Sequence, residues 1–390
     1  MMRRKTLEEF MTGRRCTLLG VGPMSPNCVD ATIELANEYD VPLILIASRR
    51  QIEAEEFGGG YVNGWSTERF ADYVRSKDRK KKIILARDHG GPWQNDFEKD
   101  GKFDFSRAMN SAKRSFEVDI TSGFEIVHID ASRDLFQDLT VNETLSRIYE
   151  LYEFCWSVAR RNKTDILFEI GTEEQTGSNR NQFDTEYVVS ETKRFCKKNA
   201  FPDPAFVVVQ TGTKVLETRN VGTFDSSPFR IQHELPAEIQ VPKSLDMCNR
   251  HGIFLKQHNT DYLSDAALEW HPKLGIHAAN VAPEFGVTET RAFLEILEEN
   301  GMKELADRFV KLAFESGKWK KWMLPGTTAG KREKAVIAGH YVFAHPECLE
   351  IKECAITKLR TRKMDLDEVL KEKVKLSIMR YLKNFRLVRR

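Results

Sequence analysis

Between residues 16 and 300 the chain alternates short apolar runs with longer amphipathic stretches. The runs are CTLLGVG (16–22), LILIAS (43–48), KIILARD (82–88), EIVHID (125–130), DILFEIG (165–171), AFVVVQ (205–210), GIFLKQH (252–258) and LGIHAAN (274–280). Each is too short for a helix and apolar enough for a strand buried on both faces. Helices are expected between them, over 26–39, 66–77, 104–122, 141–161, 187–199, 236–251, 260–270 and 288–300. Two of these carry start signals, because Ser66-Thr67-Glu68 and Thr288-Glu289 place hydroxyls and acids where a helix begins.

Eight strand–helix units predict an α/β chain folded as a (β/α)8 TIM barrel over residues 1–300. A doubly wound open sheet is the competing architecture. No GxGxxG follows the first run, which counts against a dinucleotide-binding sheet. Residues 301–390 break the rhythm and predict a C-terminal extension packed on the barrel. It opens with GKWKKWMLPGTTAGKREK (317–334) and ends in a helix over 364–385. Asp365 is that helix's expected N-cap. Leu366, Val369, Leu370, Val374, Ile378 and Leu382 fall on one stripe of it.

Composition narrows the class. The 390 residues carry a formal charge of only +2, which implies no global attraction to nucleic acid or membrane. No apolar run approaches about 18 residues, so no membrane span is expected. The seven cysteines form no CxxC and read as reduced thiols of a cytoplasmic protein. MMRRKTLEEF has basic residues but no apolar core; it reads as a leading helix that closes the barrel floor, not as a secretory signal. From residue 352 onward, 13 Lys and Arg face 5 Asp and Glu. That tail lacks a nucleic-acid recognition motif and reads as a packed helix with a solvated basic face.

In a barrel of this kind the carboxyl ends of the strands converge on one pocket. This chain places there Ser25; Ser48 and Arg49; Asp88 and His89; His128, Asp130 and Ser132; Glu169, Thr172 and Glu173; Gln210 and Thr211; His258, Thr260 and Asp261; and His277 and Asn280. A lone histidine in such a list is a hydrogen-bonded structural residue as readily as a ligand. Histidines and carboxylates recurring at the third, fourth, fifth and seventh runs are a different matter. Burying them together costs several kcal/mol unless they pair or bind a cation. A divalent metal satisfies the set, zinc first and manganese or cobalt as alternatives. The residues themselves point to His89 and His258 as the best ligand candidates, with Glu169 third. Gln210 suits a substrate hydroxyl. The FGGGYVNGW loop (57–65) is either a phosphate cradle or a lid.

The runs DHGGP, IVHIDAS, FEIGTEE, VVVQTG and QHNTDY, in this order and with GGY in the second loop, resemble the accessory ("non-catalytic") subunit family of class II tagatose-1,6-bisphosphate aldolase. WKKW and the terminal helix look similar as well. That family in turn resembles the catalytic class II ketose-bisphosphate aldolases and metal-dependent epimerases of ketoses or keto-sugar acids. The resemblance implies His89, Glu169 and His258 as metal ligands, Asp88 as acid/base and Asn280 as a substrate contact. It also departs from the catalytic pattern. Gln210-Thr211 stands where those enzymes have a histidine, and Asn259-Thr260-Asp261 stands where they have a phosphate-cradling Gly-Ser run.

Two functions compete on this reading. One is a metal-dependent sugar enzyme, an aldolase or C4-epimerase acting on a ketose or ketose phosphate, with Asp88, or a carboxylate such as Asp130 or Glu173, taking a proton and Ser48, Gln210, Asp261 and Asn280 at the substrate. The other is a barrel without its own chemistry that stabilises a separate aldolase subunit. The expected partners are thus a sugar or sugar phosphate, and a second copy or an aldolase subunit, with neither nucleic acid nor membrane.

Overall fold

The computed structural model describes residues 2–171, 182–209, 211–223 and 235–389. Eight parallel strands close into a barrel: β1 (Leu18–Val21), β2 (Leu43–Ser48), β3 (Ile83–Gly90), β4 (Ile126–Asp130), β5 (Leu167–Gly171), β6 (Phe206–Val209), β9 (Phe254–Gln257) and β10 (Ala278–Val281). Their order around the ring is β1-β10-β9-β6-β5-β4-β3-β2. A two-stranded antiparallel ribbon, β7 (Val215–Leu216) with β8 (Arg219–Asn220), rises from the connection after β6. The fold is the TIM barrel with a helical extension that the alternating runs predict, since each apolar run maps onto a barrel strand.

Helices alternate with the strands: α1 (Met2–Arg14), α2 (Pro26–Tyr39), α3 (Thr67–Lys77), α4 (Asp96–Asp100), α5 (Phe105–Thr121), α6 (Val141–Asn162), α7 (Gln182–Asn199), α8 (Ala237–His251), α9 (Asp265–Leu274) and α10 (Pro283–Glu299). Local chemistry sets their starts. The Ser25 side chain accepts from the Cys28 amide, and Pro26 supplies the fixed φ of a first turn. Ser66 caps α3, and Thr140 with Glu143 forms a capping box on α6. α1 lies across the floor as expected, where Arg4 donates to Pro204 and Gly252 carbonyls at the entry to β6 and β9.

Several boundaries differ from the sequence reading, with α7 starting at Gln182 rather than 187 and α9 at Asp265 rather than 260. α10 starts at Pro283, five residues before Thr288, because proline opens the helix and the Thr288 hydroxyl turns back onto the Glu284 carbonyl inside it. α9 runs on to Leu274 and is stopped by Gly275 at φ 85°. The LGIHAAN run is therefore split between two elements. His277 ends up at the entry of β10, where its Nδ1 accepts from the Leu255 amide, away from the carboxyl ends.

The extension comprises α11 (Lys303–Glu315), α12 (Lys331–Ala338), α13 (Pro346–Arg360) and α14 (Leu366–Asn384). Asp365 caps α14, accepting from the Glu368 amide at 3.2 Å. Leu366, Leu370, Val374, Ile378 and Leu382 of the stripe are buried as α14 packs on α2 and α10. Each such aliphatic side chain stabilises the docking by roughly 1.5–3 kcal/mol. Its cations meet barrel acids: Lys371 and Lys375 reach Glu34, and Arg380 reaches Asp265. The seven cysteines are free, six of them buried. Among the described residues no helix is long and apolar enough to cross a membrane.

Candidate metal and substrate site

β4 alternates, so His128 and Asp130 face the same side, and register pairs His128 with Glu169 on β5. β3 would point Asp88 and His89 apart if it were regular. Its pairing with β4 slips between Arg87 and Gly90, and His89 takes a left-handed φ of 45°. A bulge of this kind re-aims a side chain. Both Asp88 and His89 consequently line the cleft at the carboxyl ends of the strands. This accounts for an acid and an imidazole standing side by side at a strand tip.

Asp88, His128, Glu169 and His258 converge below the cleft, each buried, with one potential ligand atom apiece within 4.8 Å of the others. Asp88 Oδ1 is 3.5 Å from His128 Nδ1 and 3.4 Å from His258 Nε2. Glu169 Oε1 is 3.6 Å from the same His128 nitrogen. Ligands about 2.0–2.2 Å from a tetrahedral ion stand about 3.3–3.6 Å apart, so the spacing fits. Glu169 Oε1 and His258 Nε2 are buried without a hydrogen bond of good geometry. Two features compete with an ion. His128 Nδ1 accepts from the His89 amide at 3.2 Å, and the buried Lys256 ammonium lies 2.7 Å from Glu169 Oε2.

Burial alone would raise the Asp88 carboxyl, but His89, His258 and His128 outweigh it and hold Asp88 well below the usual carboxylate range. Burial also lowers His258 against the pull of Asp88. His89 stands just outside the four. Its Nδ1 is 2.7 Å from Asp130 Oδ2, and its Nε2 is 4.0 Å from Asp88 Oδ2. Asp130 is buried, is kept below its ordinary value by His89 in spite of that burial, and also accepts from Gln94 and Ser132.

The cleft above is walled by Ser48, Arg50, Tyr61, Lys214, Leu216, Asp261, Asn280, Lys321, Trp322 and Tyr341 among others. The Asn280 amide is buried with both ends unpartnered and packs against Gly20, where a methyl group would collide with its oxygen. Asp261 Oδ1 accepts from the Ala282 and Glu284 amides at the start of α10.

The remaining expected residues divide as follows. Ser48 lies on the cleft wall, its hydroxyl on Gln51. Arg49 is buried in a structural network with Glu53 and Glu98. Ser25 caps α2 and donates to Glu289, beside a smaller cavity behind Tyr61. Thr172, Glu173 and Gln210 lie outside the described residues. Lys256 escaped the sequence reading, although a lysine inside an apolar strand run is a signal in itself. So did the wall built by Lys321, Trp322 and Tyr341, which folds back from the extension and leaves no periodic trace.

A family model for D-tagatose-1,6-bisphosphate aldolase subunit GatZ/KbaZ-like proteins matches residues 4–285. The chain belongs to this GatZ/KbaZ-like family. Among curated protein sequences none matches it. Solved structures share the fold of this GatZ/KbaZ-like chain at low identity. One, described as a "probable tagatose 6 phosphate kinase" of Sinorhizobium meliloti 1021, has a TM-score of 0.74 at 16% identity, covering 94% of this chain and 100% of that one. The fructuronate-tagaturonate epimerase UxaE of Cohnella laeviribosi gives 0.61 at 11%, over 95% and 81%. The fructose-bisphosphate aldolase of Campylobacter jejuni gives 0.55 at 12%, over 98% and 93%.

Proposed function

We propose that this chain is a metal-dependent sugar enzyme acting on a ketose or ketose phosphate by aldol or retro-aldol chemistry, as an aldolase or C4-epimerase. The observation that carries the reading is the convergence of Asp88, His128, Glu169 and His258 at ligand spacing beneath an open polar cleft. These four would hold a divalent ion, zinc first. When bound, it supplies Lewis acidity toward a ketose carbonyl and its neighbouring hydroxyl.

The chain's own groups do the rest. Asp130 accepts a hydrogen bond from the Nδ1–H of His89, which leaves Nε2 as the basic nitrogen of the neutral ring. His89 takes the hydroxyl proton beside the bond that breaks and returns it when the bond re-forms. This assignment inverts the one the resemblance implies, in which His89 is a ligand and Asp88 the proton carrier. Asn280 offers an unpaired donor and acceptor to substrate hydroxyls. Ser48 and Asp261 border the same space. Glu173 and Gln210 keep the roles expected from sequence, a second proton carrier and a hydroxyl contact.

A second reading rests on Lys256. Its ammonium already neutralises Glu169, as it would in a barrel that has no metal and serves as the partner of a separate aldolase subunit. The test is elemental analysis of purified protein after incubation with zinc, manganese or cobalt, beside His258→Ala and His128→Ala. About one ion per chain, lost in both variants while the fold persists, followed by cleavage or epimerisation in ketose and ketose-phosphate screens, supports the enzyme. A well-folded wild type that takes up no ion overturns it in favour of the partner role.

A further inference from the structure

Tyr61, from the FGGGYVNGW loop, and Met24 line both the cleft and a second cavity of about 70 Å³, and so form the wall between them. The rest of that cavity is built by Glu289 and Phe293 of α10, by His340 and Phe343 between α12 and α13, and by Leu370 of α14. These residues lie beyond residue 285, where the family match ends. Asn63 and Leu349, both exposed, also line the cavity, so it reaches the surface.

His340 is the feature that asks for a ligand. It is 1% exposed, and neither ring nitrogen has a hydrogen-bond partner among the described residues. Packing fixes the ring. It is seated on Gly286 of α10, where a methyl group would fall 2.7 Å from it, and its centre lies 4.1 Å from that of the Tyr341 ring. Burial, and next the charge of Lys321, pushes His340 down to about 3. The side chain is thus a neutral imidazole with one N–H to donate and one lone pair to receive. A buried donor and acceptor left unpaired both cost free energy.

The charged groups around it are already committed. Glu289 accepts from Ser25 and, at 2.9 Å, from Asn27. Burial raises its carboxyl in spite of those two donors. Lys352 pairs with Asp367. The cavity therefore favours neither an anion nor a cation. Water alone fills such a space badly, because a buried water needs about two to four polar partners. Here much of the wall is Met24, Phe293, Phe343 and Leu370.

We propose that this cavity is a binding site for a short uncharged alcohol, its hydroxyl on His340 and its alkyl body against Met24, Phe293 and Phe343. A hydroxyl both donates and accepts, so it can meet either ring nitrogen. Size sets the length. A cavity of about 150 Å³ takes up benzene, so about half that volume admits roughly three or four non-hydrogen atoms. The site goes beyond the reaction assigned to the cleft and needs no metal.

The test is a nuclear magnetic resonance titration of the full chain with n-propanol, with propionate as the charged probe of similar size. The reporters are the isotope-labelled Met24 methyl and the His340 and His258 rings, each assigned by substitution. The chain is chelator-treated, so failure of the metal reading leaves the outcome untouched, and the reverse. The expected result is saturable shifts at Met24 and His340 with the His258 ring unmoved, and no saturable shift with propionate. Affinity read at Met24 should fall about three- to tenfold in His340→Leu, which removes the hydrogen bond. It should vanish in Ala344→Leu, whose added bulk occupies the cavity wall. Circular dichroism checks folding, and Ala344→Leu decides if His340→Leu misfolds. Absence of a saturable shift in wild type overturns the proposal and leaves a solvent cavity. Undiminished affinity in folded Ala344→Leu, or shifts at Met24 and His258 without His340, places the alcohol in the cleft and overturns it too. Propionate binding as tightly as n-propanol overturns the uncharged class.

Discussion

Lys256 on β9 and Glu169 on β5 meet across the barrel interior, Nζ to Oε2 at 2.7 Å, with both side chains shut off from solvent. The pair fixes one carboxylate oxygen and turns the other, Oε1, toward His128 and the potential ligand cluster. Lys256→Met removes the cation and strands Glu169 as a buried charge. Loss of one partner of such a pair costs about 3–5 kcal/mol. Urea unfolding of the metal-free protein should show a loss of that order, largely recovered in Lys256→Met/Glu169→Leu. Added zinc should stabilise Lys256→Met more than wild type, because the ion then supplies the missing charge. An equal effect of zinc on both proteins would mean that Lys256 and the metal do not share Glu169.

The His89–Asp130 contact separates the two assignments of His89. Asp130→Asn removes the acceptor that fixes the imidazole tautomer. A proton carrier with the wrong tautomer loses about 10²–10⁴ in turnover. Asp130→Asn and His89→Gln should therefore keep metal near one ion per chain and lose kcat. If His89→Gln instead emerges metal-free while remaining folded, His89 is a ligand, as the family resemblance implies, and Asp88 takes the proton.

Much of this was legible in the order of residues. Eight apolar runs gave the barrel, and the polar tips of β3, β4, β5 and β9 gave Asp88, His89, His128, Asp130, Glu169 and His258. What stayed hidden has physical causes. Periodicity says which side of a strand a residue faces, so His128 and Asp130 could be placed together. It does not register the bulge that swings His89 beside Asp88. The LGIHAAN run misled because Gly275, in a left-handed turn, ends a helix inside an apolar stretch. Nothing local in GKWKKWMLP announces that Lys321 and Trp322 wall a cleft that also holds Asp88 and His89, because that contact comes from the return of the extension over the barrel.

Gly20 and Asn280 pair in register on β1 and β10, and the absent side chain of Gly20 is the space that the Asn280 amide occupies. Gly20→Ala should displace that amide without touching the potential ligands. Leaving a substrate hydroxyl without its partner costs about 1–3 kcal/mol. We expect kcat/KM to fall about ten- to hundredfold in Gly20→Ala, matched by Asn280→Ala and not deepened in the double variant. Additive losses in the double variant would show that Gly20 acts on something other than Asn280.

Asp261 gives the fold a pH dependence whose sign can be worked out. Its carboxyl is raised from 3.8 to about 7, first by burial and then by the nearby Glu284 carboxylate. The folded chain therefore holds a proton that the unfolded chain releases at lower pH. The stability this confers is complete below the unfolded value, near pH 4, and is lost as pH rises through about 7, by an amount on the order of 4 kcal/mol. The Asp261 oxygen still caps α10 in both forms, since Ala282 and Glu284 amides donate to it. An Asp261→Asn side chain can offer the same acceptor with no charge to bury. Thermal melts of wild type should drop in Tm between about pH 4 and pH 7 more steeply than those of Asp261→Asn, with the two converging toward pH 4. Parallel curves across that range would mean that Asp261 stays ionised in the fold, its charge held by the two amides at the head of α10.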